Sequence, residues 1–332
     1  MTVMVTGGSG FVGSWVCREL VRRGEQVVIY DLYVRPDAID DLLGKVQIVK
    51  GDILDLGNIL ATIKAHKVDR IIHTASYLGF ESQQRPPMAV KVTCEGTANI
   101  LEAAKVMDVR RVVYTSTQSV YGVTPPGRVV DEDYPPNPTT VYGATKRLCE
   151  WLGMNYSVNY GLDFIVVRFP SIYGPTKVGR GWQVPMTDMV ENPAMGRPVA
   201  ISVGGDTKQE WVYMRDMANT VSNAAFVEAH EHQIFNLGSG ELCNLFEMAE
   251  VVKRFIPNAA FNIGRGPDPL YGTGGPFDST RAIKELGHRI TYSLEQGIVE
   301  WIDIVRAREH ARPADFNAIP IDIPTLRGRK GS

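Results

Sequence analysis

The segment that most constrains this chain is Thr6-Gly7-Gly8-Ser9-Gly10-Phe11-Val12-Gly13, which follows the apolar run Val3-Met4-Val5 and opens a helix-patterned stretch, Gly13 to Gly24. Its position between a first strand and a first helix matters more than the pattern, because an isolated glycine-rich turn is commonplace. Here each glycine has a separate task. Gly7 permits a tight turn, Gly10 lets the backbone approach a pyrophosphate, and Gly13 lets helix and strand pack closely. The phosphates then sit at the helix N-terminus, whose N–H groups have no partners within the helix.

A carboxylate in the right place supports that reading. Asp31 closes the second strand, Val27-Val28-Ile29-Tyr30-Asp31, where it accepts hydrogen bonds from adenosine ribose hydroxyls and repels a 2′-phosphate. NAD is therefore expected over NADP, with the nearby Arg35 read as a solvated loop residue. Short β-branched runs continue to alternate with helical patterns: Gln26 to Tyr30, Val46 to Lys50, Arg70 to His73, a helix over Val92 to Met107, and Arg111 to Thr115. Strand–helix alternation of this kind predicts an α/β fold, a Rossmann-type doubly wound parallel sheet.

After Arg168 the pattern loosens, with Gly174, Pro175, Gly179, Gly181, Pro185, Pro193 and Pro198 in close succession. This predicts a smaller C-terminal α/β substrate domain. The strand-like Gln233 to Leu237, ending in Gly238-Ser239-Gly240, is expected to rejoin the sheet, so the two domains interleave. The expected division gives residues 1–173, with a return segment at about 211–237, to the cofactor-binding domain. Residues 174–210 and 238–312 form the substrate domain, and the Pro-rich, basic stretch 313–332 is a loosely attached tail. There is no internal repeat.

Composition excludes other classes. The 332 residues are 44% hydrophobic and 22% charged, enough for a large core, and 35 Lys+Arg against 37 Asp+Glu leave a formal net charge of −2. No broad basic field invites nucleic acid or an anionic membrane. The four cysteines, Cys17, Cys94, Cys149 and Cys243, form no CxxC pair and have no His at metal spacing, which predicts no metal and a reducing, cytoplasmic setting. No apolar run reaches about 18 residues, so neither a membrane span nor a signal peptide is expected.

The reactive candidates lie in Val141-Tyr142-Gly143-Ala144-Thr145-Lys146, after the proline-rich Pro135 to Pro138. Four residues apart is one helical face. For Tyr142 to act as a base near neutrality, a pKa of about 10 must fall toward 7, at a cost of about 4 kcal/mol. A neighbouring ammonium and a cationic nicotinamide supply that. Upstream, Val112-Val113-Tyr114-Thr115-Ser116-Thr117-Gln118-Ser119-Val120-Tyr121-Gly122 is a buried-strand pattern ending in hydroxyl residues, and such strand ends are where open α/β sheets bind ligands.

Taken with the glycine turn and Arg168-Phe169-Pro170-Ser171-Ile172-Tyr173-Gly174-Pro175, these motifs resemble the extended short-chain dehydrogenase/reductases, the epimerase/dehydratase group, from about residue 2 to about residue 305. The resemblance implies that Thr117 hydrogen-bonds the reacting hydroxyl, Tyr142 takes its proton, and Lys146 grips the nicotinamide ribose. It implies cofactor contacts from Gly7, Gly10, Phe11, Val12, Gly13, Asp31, Asp52, Ile53, Thr74, Ala75, Ser76, Thr115, Phe169 and Pro170, besides Tyr142 and Lys146. His73 reads as structural. On the substrate side it points to Glu81 and Ser82 before Pro86, Ser171, Gln209 and Arg265, with Arg180 and Trp182 as a clamp or a packed lid. By analogy with relatives, a homodimer through helices of the cofactor-binding half is expected.

Members of the group begin with hydride transfer from a secondary alcohol carbon to NAD. The dehydratases carry an Asp-Glu pair after the reactive Thr; here Gln118 and Ser119 stand there, and dehydration is disfavoured because neither is a general acid at neutral pH. A nucleotide-sugar epimerase is favoured by Glu81-Ser82 and by Arg265-Gly266-Pro267-Asp268, which resembles a phosphate-binding RPGD. A net dehydrogenase of a polyol, sugar, sugar acid or other small secondary alcohol is favoured by Gln209, where the group has a phosphate-binding Arg, and by Ser171, where it has Asn. A third reading, a catalytically inactive NAD sensor, would require loss of the Tyr or the Lys, and both are present.

Overall fold

The chain was analysed as a computed structural model that describes residues 1–125, 127–175, 184–268 and 275–309. Its first half is β1 (Thr2–Thr6), α1 (Phe11–Arg22), β2 (Gln26–Asp31), β3 (Gln47–Lys50), α2 (Leu56–His66), β4 (Arg70–His73), α3 (Gly79–Gln84), α4 (Pro86–Ala89), α5 (Gly96–Val106), β5 (Arg111–Thr117) and α6 (Val141–Tyr160). Then follow β6 (Asp163–Phe169), β7 (Ser171–Tyr173), α7 (Val184–Ala194), β8 (Val199–Ile201), β9 (Gln209–Tyr213), α8 (Met214–Phe226), β10 (Ile234–Asn236), β11 (Leu242–Cys243), α9 (Leu245–Phe255), β12 (Phe261–Ile263), α10 (Thr280–Leu286) and α11 (Leu294–Glu309).

Seven strands make one sheet in the order β10-β6-β5-β4-β1-β2-β3, and every neighbouring pair is parallel. β1 and β5 are buried along their whole length, as strands covered on both faces must be. The chain winds from β1 outward through β2 and β3, then crosses back to β4 and runs the other way. Between β1 and β4 the carboxyl ends diverge, and this switch point is where the fold opens a crevice. The fold is the doubly wound α/β class read from the sequence.

Outside this sheet, β7, β9 and β11 form a three-stranded sheet, and β8 pairs with β12. β9 takes Trp211–Tyr213 into the small sheet, while β10 returns to the large one, where Ile234–Asn236 pair with Val166–Arg168. The smaller layer has its own core of Tyr173, Met189, Tyr213, Met248, Ile298 and Trp301.

The helix expected over Val92 to Met107 is interrupted. Val90–Glu95 form a π-helical turn before α5 begins. The Thr93 carbonyl accepts from Thr97 Oγ1 at 2.6 Å and from Cys149 Sγ at 3.4 Å. The Gly96 N–H reaches back five residues to the Lys91 carbonyl as well as to that of Thr93, so the ladder slips by one residue. Spacing along the sequence does not show the Cys149 bond, because the donor on α6 lies 56 residues away.

Candidate active site

The turn after β1 is closed by backbone. Gly7 has φ +64°, donates to the Tyr30 carbonyl at 2.8 Å, and would place a Cβ 3.0 Å from the backbone of Ala75. A Cβ on Gly13 would lie 2.2 Å from the Gly7 oxygen. Any side chain there would separate helix from strand and fill the cradle at the N-terminus of α1. This is the shape a pyrophosphate requires, so the residues present fit a dinucleotide.

Asp31 stands at the end of β2. Its Oδ2 accepts from Ser9 N at 3.0 Å and Ser9 Oγ at 2.8 Å, and its Oδ1 from Tyr33 N at 3.1 Å. Burial raises its pKa, and the bonds from Ser9 and Tyr33 and the pull of Arg35 oppose that rise. The carboxylate is thus oriented by the turn itself. Arg35 bonds its guanidinium to Asp37 at 3.0 Å, in keeping with a solvated loop role.

Along the same edge, Asp52 and Ile53 follow β3; Asp52 Oδ1 caps Leu54 N at 2.9 Å, and the buried Ile53 has its carbonyl held by Asn99. Thr74, Ala75 and Ser76 follow β4, with Thr74 Oγ1 donating to the Thr6 carbonyl at 2.7 Å. His73 is fully buried between Thr6 Oγ1, at 2.6 Å, and Thr97 Oγ1, at 3.0 Å. Burial, then repulsion from Lys146, pushes its pKa down to about 3, so it is a neutral strut at working pH.

The candidate reactive pair is delivered by the start of α6. Proline-rich, extended chain leads to Thr140, whose Oγ1 accepts from Gly143 N at 3.0 Å and caps the helix. Tyr142 lies in the first turn and Lys146 one turn later. Lys146 is 1% exposed and donates from Nζ to the Thr115 carbonyl at 2.8 Å, lying over the Tyr114 and Tyr142 rings at 4.7 and 5.8 Å. Burial pushes its pKa down to about 8, against the attraction of Cys149, Glu150 and Cys94. Thr117 ends β5 in register with Phe169, and its Oγ1 both donates to Ser119 Oγ and accepts from Ser119 N at 3.2 Å. Phe169 and Pro170 are buried at the adjacent end of β6. The strand order thus brings Thr115, Thr117, Lys146 and Phe169 to one edge.

Three residues from three elements form one hydrogen-bonded chain. Gln118 Nε2 donates to Ser171 Oγ at 3.2 Å, and Ser171 Oγ donates to Gln209 Oε1 at 2.6 Å. Gln118 and Gln209 border a cavity lined also by Ser119, Thr139, Thr140 and Phe277. Glu210 lines it too, but its oxygens accept backbone N–H groups of Gly240 and Phe277, which marks a structural carboxylate. Ser82 is fully buried and donates to Tyr77 O at 2.9 Å, so it holds its own loop, while Glu81 beside it is half-buried. Arg265 is 81% exposed in its side chain and paired with Asp206 at 3.0 Å, over the Phe246 ring. Arg180 and Trp182 lie outside the described residues.

One group passed over in the sequence stands out here. Glu150, fully buried on α6, forms a two-pronged pair with the equally buried Arg168, at 2.9 and 2.7 Å, and accepts from Ser116 Oγ at 2.5 Å. Its signal was available: Tyr142, Lys146 and Glu150 recur every four residues, one face of one helix.

A parallel seven-stranded sheet with a glycine-tight turn after β1, joined to a second small-sheet layer, defines the extended short-chain dehydrogenase class of enzyme. The chain belongs to the NAD-dependent epimerase/dehydratase family, whose model matches residues 3–238. It is 29% identical to a UDP-glucose 4-epimerase of Mycolicibacterium smegmatis, over 92% of this chain and 99% of that one. It is 28% identical to a dTDP-glucose 4,6-dehydratase of Streptomyces niveus, covering 92% and 93%. Among solved structures, the UDP-glucose 4-epimerase of Thermus thermophilus in complex with NAD superposes with a TM-score of 0.83 at 24% identity, covering 92% of this chain and 99% of that one; at that identity the likeness concerns the fold.

Proposed function

We propose that this NAD-dependent enzyme is a nucleotide-sugar epimerase that oxidises and re-reduces one carbinol carbon of its substrate. The observation that carries the reading is the anchoring of Lys146 Nζ on the Thr115 carbonyl. That bond fixes α6 against the end of β5, so the Tyr142–Lys146 pair faces the same sheet edge as the glycine turn. The near full-length match to a UDP-glucose 4-epimerase supports the substrate class.

In this reading Thr117 holds the reacting hydroxyl, and Tyr142 takes its proton and later gives it back. The ammonium of Lys146 favours the phenolate beside it. Bound NAD supplies the hydride acceptor and donor. The small-sheet layer holds the sugar while its ring turns. Dehydration is not part of the proposal: Gln118 and Ser119 carry no acid, and Glu210 is held by backbone N–H groups.

A second reading, net oxidation of a smaller polyol or sugar acid, draws on the Gln118–Ser171–Gln209 chain, which offers amides and a hydroxyl where a diphosphate would be better served by a cation. Incubating the protein with NAD and either UDP-sugars or free polyols and sugar acids, while following reduced-nicotinamide absorbance, separates the two. Interconversion of UDP-glucose and UDP-galactose without net NADH is expected; NADH accumulating with a simple polyol would overturn the epimerase.

The free cysteines, three of them buried, support a cytoplasmic enzyme. Leu148, Trp151 and Val158, 46%, 56% and 83% exposed along one side of α6, support a homodimer through this half of the chain. Among the described residues, no helix is long and apolar enough to cross a membrane.

A further inference from the structure

We infer that Glu150 is a positioning residue, which with Arg168 clamps together α6 and the ends of β5 and β6 that bear Thr117 and Phe169. The inference rests on the proposed roles of Tyr142 and Lys146. Glu150 sits one turn beyond Lys146 and two beyond Tyr142 on α6. Its Oε1 takes both Ser116 Oγ, at 2.5 Å, and Arg168 Nε, at 2.9 Å; its Oε2 takes Arg168 Nη2 at 2.7 Å and Arg147 Nη1 at 3.0 Å. Ser116 immediately precedes Thr117, and Arg168 immediately precedes Phe169. One carboxylate therefore ties α6 to β5 one residue before Thr117 and to β6 one residue before Phe169.

The clamp extends on the other side. Arg168 Nη1 donates to Tyr121 OH at 2.6 Å, and Tyr121 OH donates to Asn236 Oδ1 at 2.8 Å, reaching β10. An ion pair this deeply buried costs more in lost hydration than an apolar pair of the same volume, so stability alone gives no reason for it here. Geometry supplies one: a bidentate Arg–carboxylate pair has a single preferred arrangement.

The charge of Glu150 also bears on Lys146. The groups facing that ammonium are Tyr142, Cys149 and Glu150 on its own helix, Tyr114 and the Thr115 carbonyl on β5, His73 on β4 and Cys94 on the π-turn. Burial drives the lysine toward neutrality, and Glu150 is the one carboxylate among the groups opposing it.

The test compares wild type with Glu150→Gln, Glu150→Asp, Tyr142→Phe and the double variant Glu150→Gln/Arg168→Met, which leaves no unpaired buried charge if Glu150→Gln alone fails to fold. Melting establishes that each is folded; kcat and KM for UDP-sugar interconversion and NADH affinity by fluorescence are measured against pH. The expected result for folded Glu150→Gln or the double variant is a kcat about 10- to 100-fold lower with KM little changed. Their alkaline limb, in kcat and in NADH binding, should move to lower pH, and Glu150→Asp should recover part of the loss. A folded variant with wild-type kcat and an unmoved alkaline limb in NADH binding would overturn the inference. Full turnover by Tyr142→Phe would instead count against the site reading on which it rests.

Discussion

Tyr142 and Asp31 each test one function of the site. If Tyr142 carries the proton, Tyr142→Phe should retain NAD and lose at least about 100-fold in turnover; steady-state rates beside NAD titration check it, and near-normal turnover refutes the role. Asp31 is held at the end of β2 by Ser9 and Tyr33, and ribose bonds to a carboxylate are worth about 1.5–3 kcal/mol. Asp31→Ala should therefore shrink the preference for NAD over NADP about tenfold, read as the ratio of the two dissociation constants. An unchanged ratio removes Asp31 from the site.

Between elements, the amino-terminal ends of β5 and β6 are joined by charge. Arg111 bonds Asp163 through Nη2 at 2.6 Å, and His230 Nε2 meets Asp163 Oδ1 at 2.9 Å. The bond to Asp163 raises the His230 pKa above 6.5, with burial working against it, while burial of Asp163 is outweighed by His230 and Arg111, which hold its carboxyl low. For a histidine with a raised folded-state pKa, the stabilisation is complete below the unfolded value and fades as pH climbs through the folded one. Asp163 behaves oppositely, its share lost only as pH falls through its depressed value. The melting-temperature gap between wild type and His230→Ala should accordingly be widest between pH 3.8 and 6.5 and narrow at higher pH. A gap independent of pH would show that the pair does not contribute through charge.

For the whole molecule, the exposed face of α6 connects assembly to the site, because the same helix bears Tyr142, Lys146 and Glu150. Leu148, Trp151 and Val158 point away from the core that holds Cys149 and Glu150, an apolar stripe that the proposed homodimer would cover. If the proposed homodimer forms through this face, Trp151→Glu should convert it to a monomer in sedimentation equilibrium. A wild-type protein that sediments as a monomer would sink the dimer.

The sequence alone determined what depends on local chemistry. Glycines at positions 7, 10 and 13 after a first strand, an acid at the end of the second, and Tyr and Lys four residues apart specify a tight turn, a carboxylate beside it and one shared helical face, because each works through its near neighbours. The parallel sheet was legible for a similar reason: alternation of strand and helix leaves few topologies. Only the tertiary structure decided what depends on residues far apart in the chain. Nothing in the order of residues says that Gln118, Ser171 and Gln209 join into one chain, that Ser82 turns inward, or that Cys149 of α6 bonds the Thr93 carbonyl in the π-turn. Nor does it say that Glu150, Arg168 and Ser116 share a single bond network. Those contacts arise when strand pairing sets β5 beside β6 and β7 beside β9, and hydrogen bonding reaches only about 3 Å.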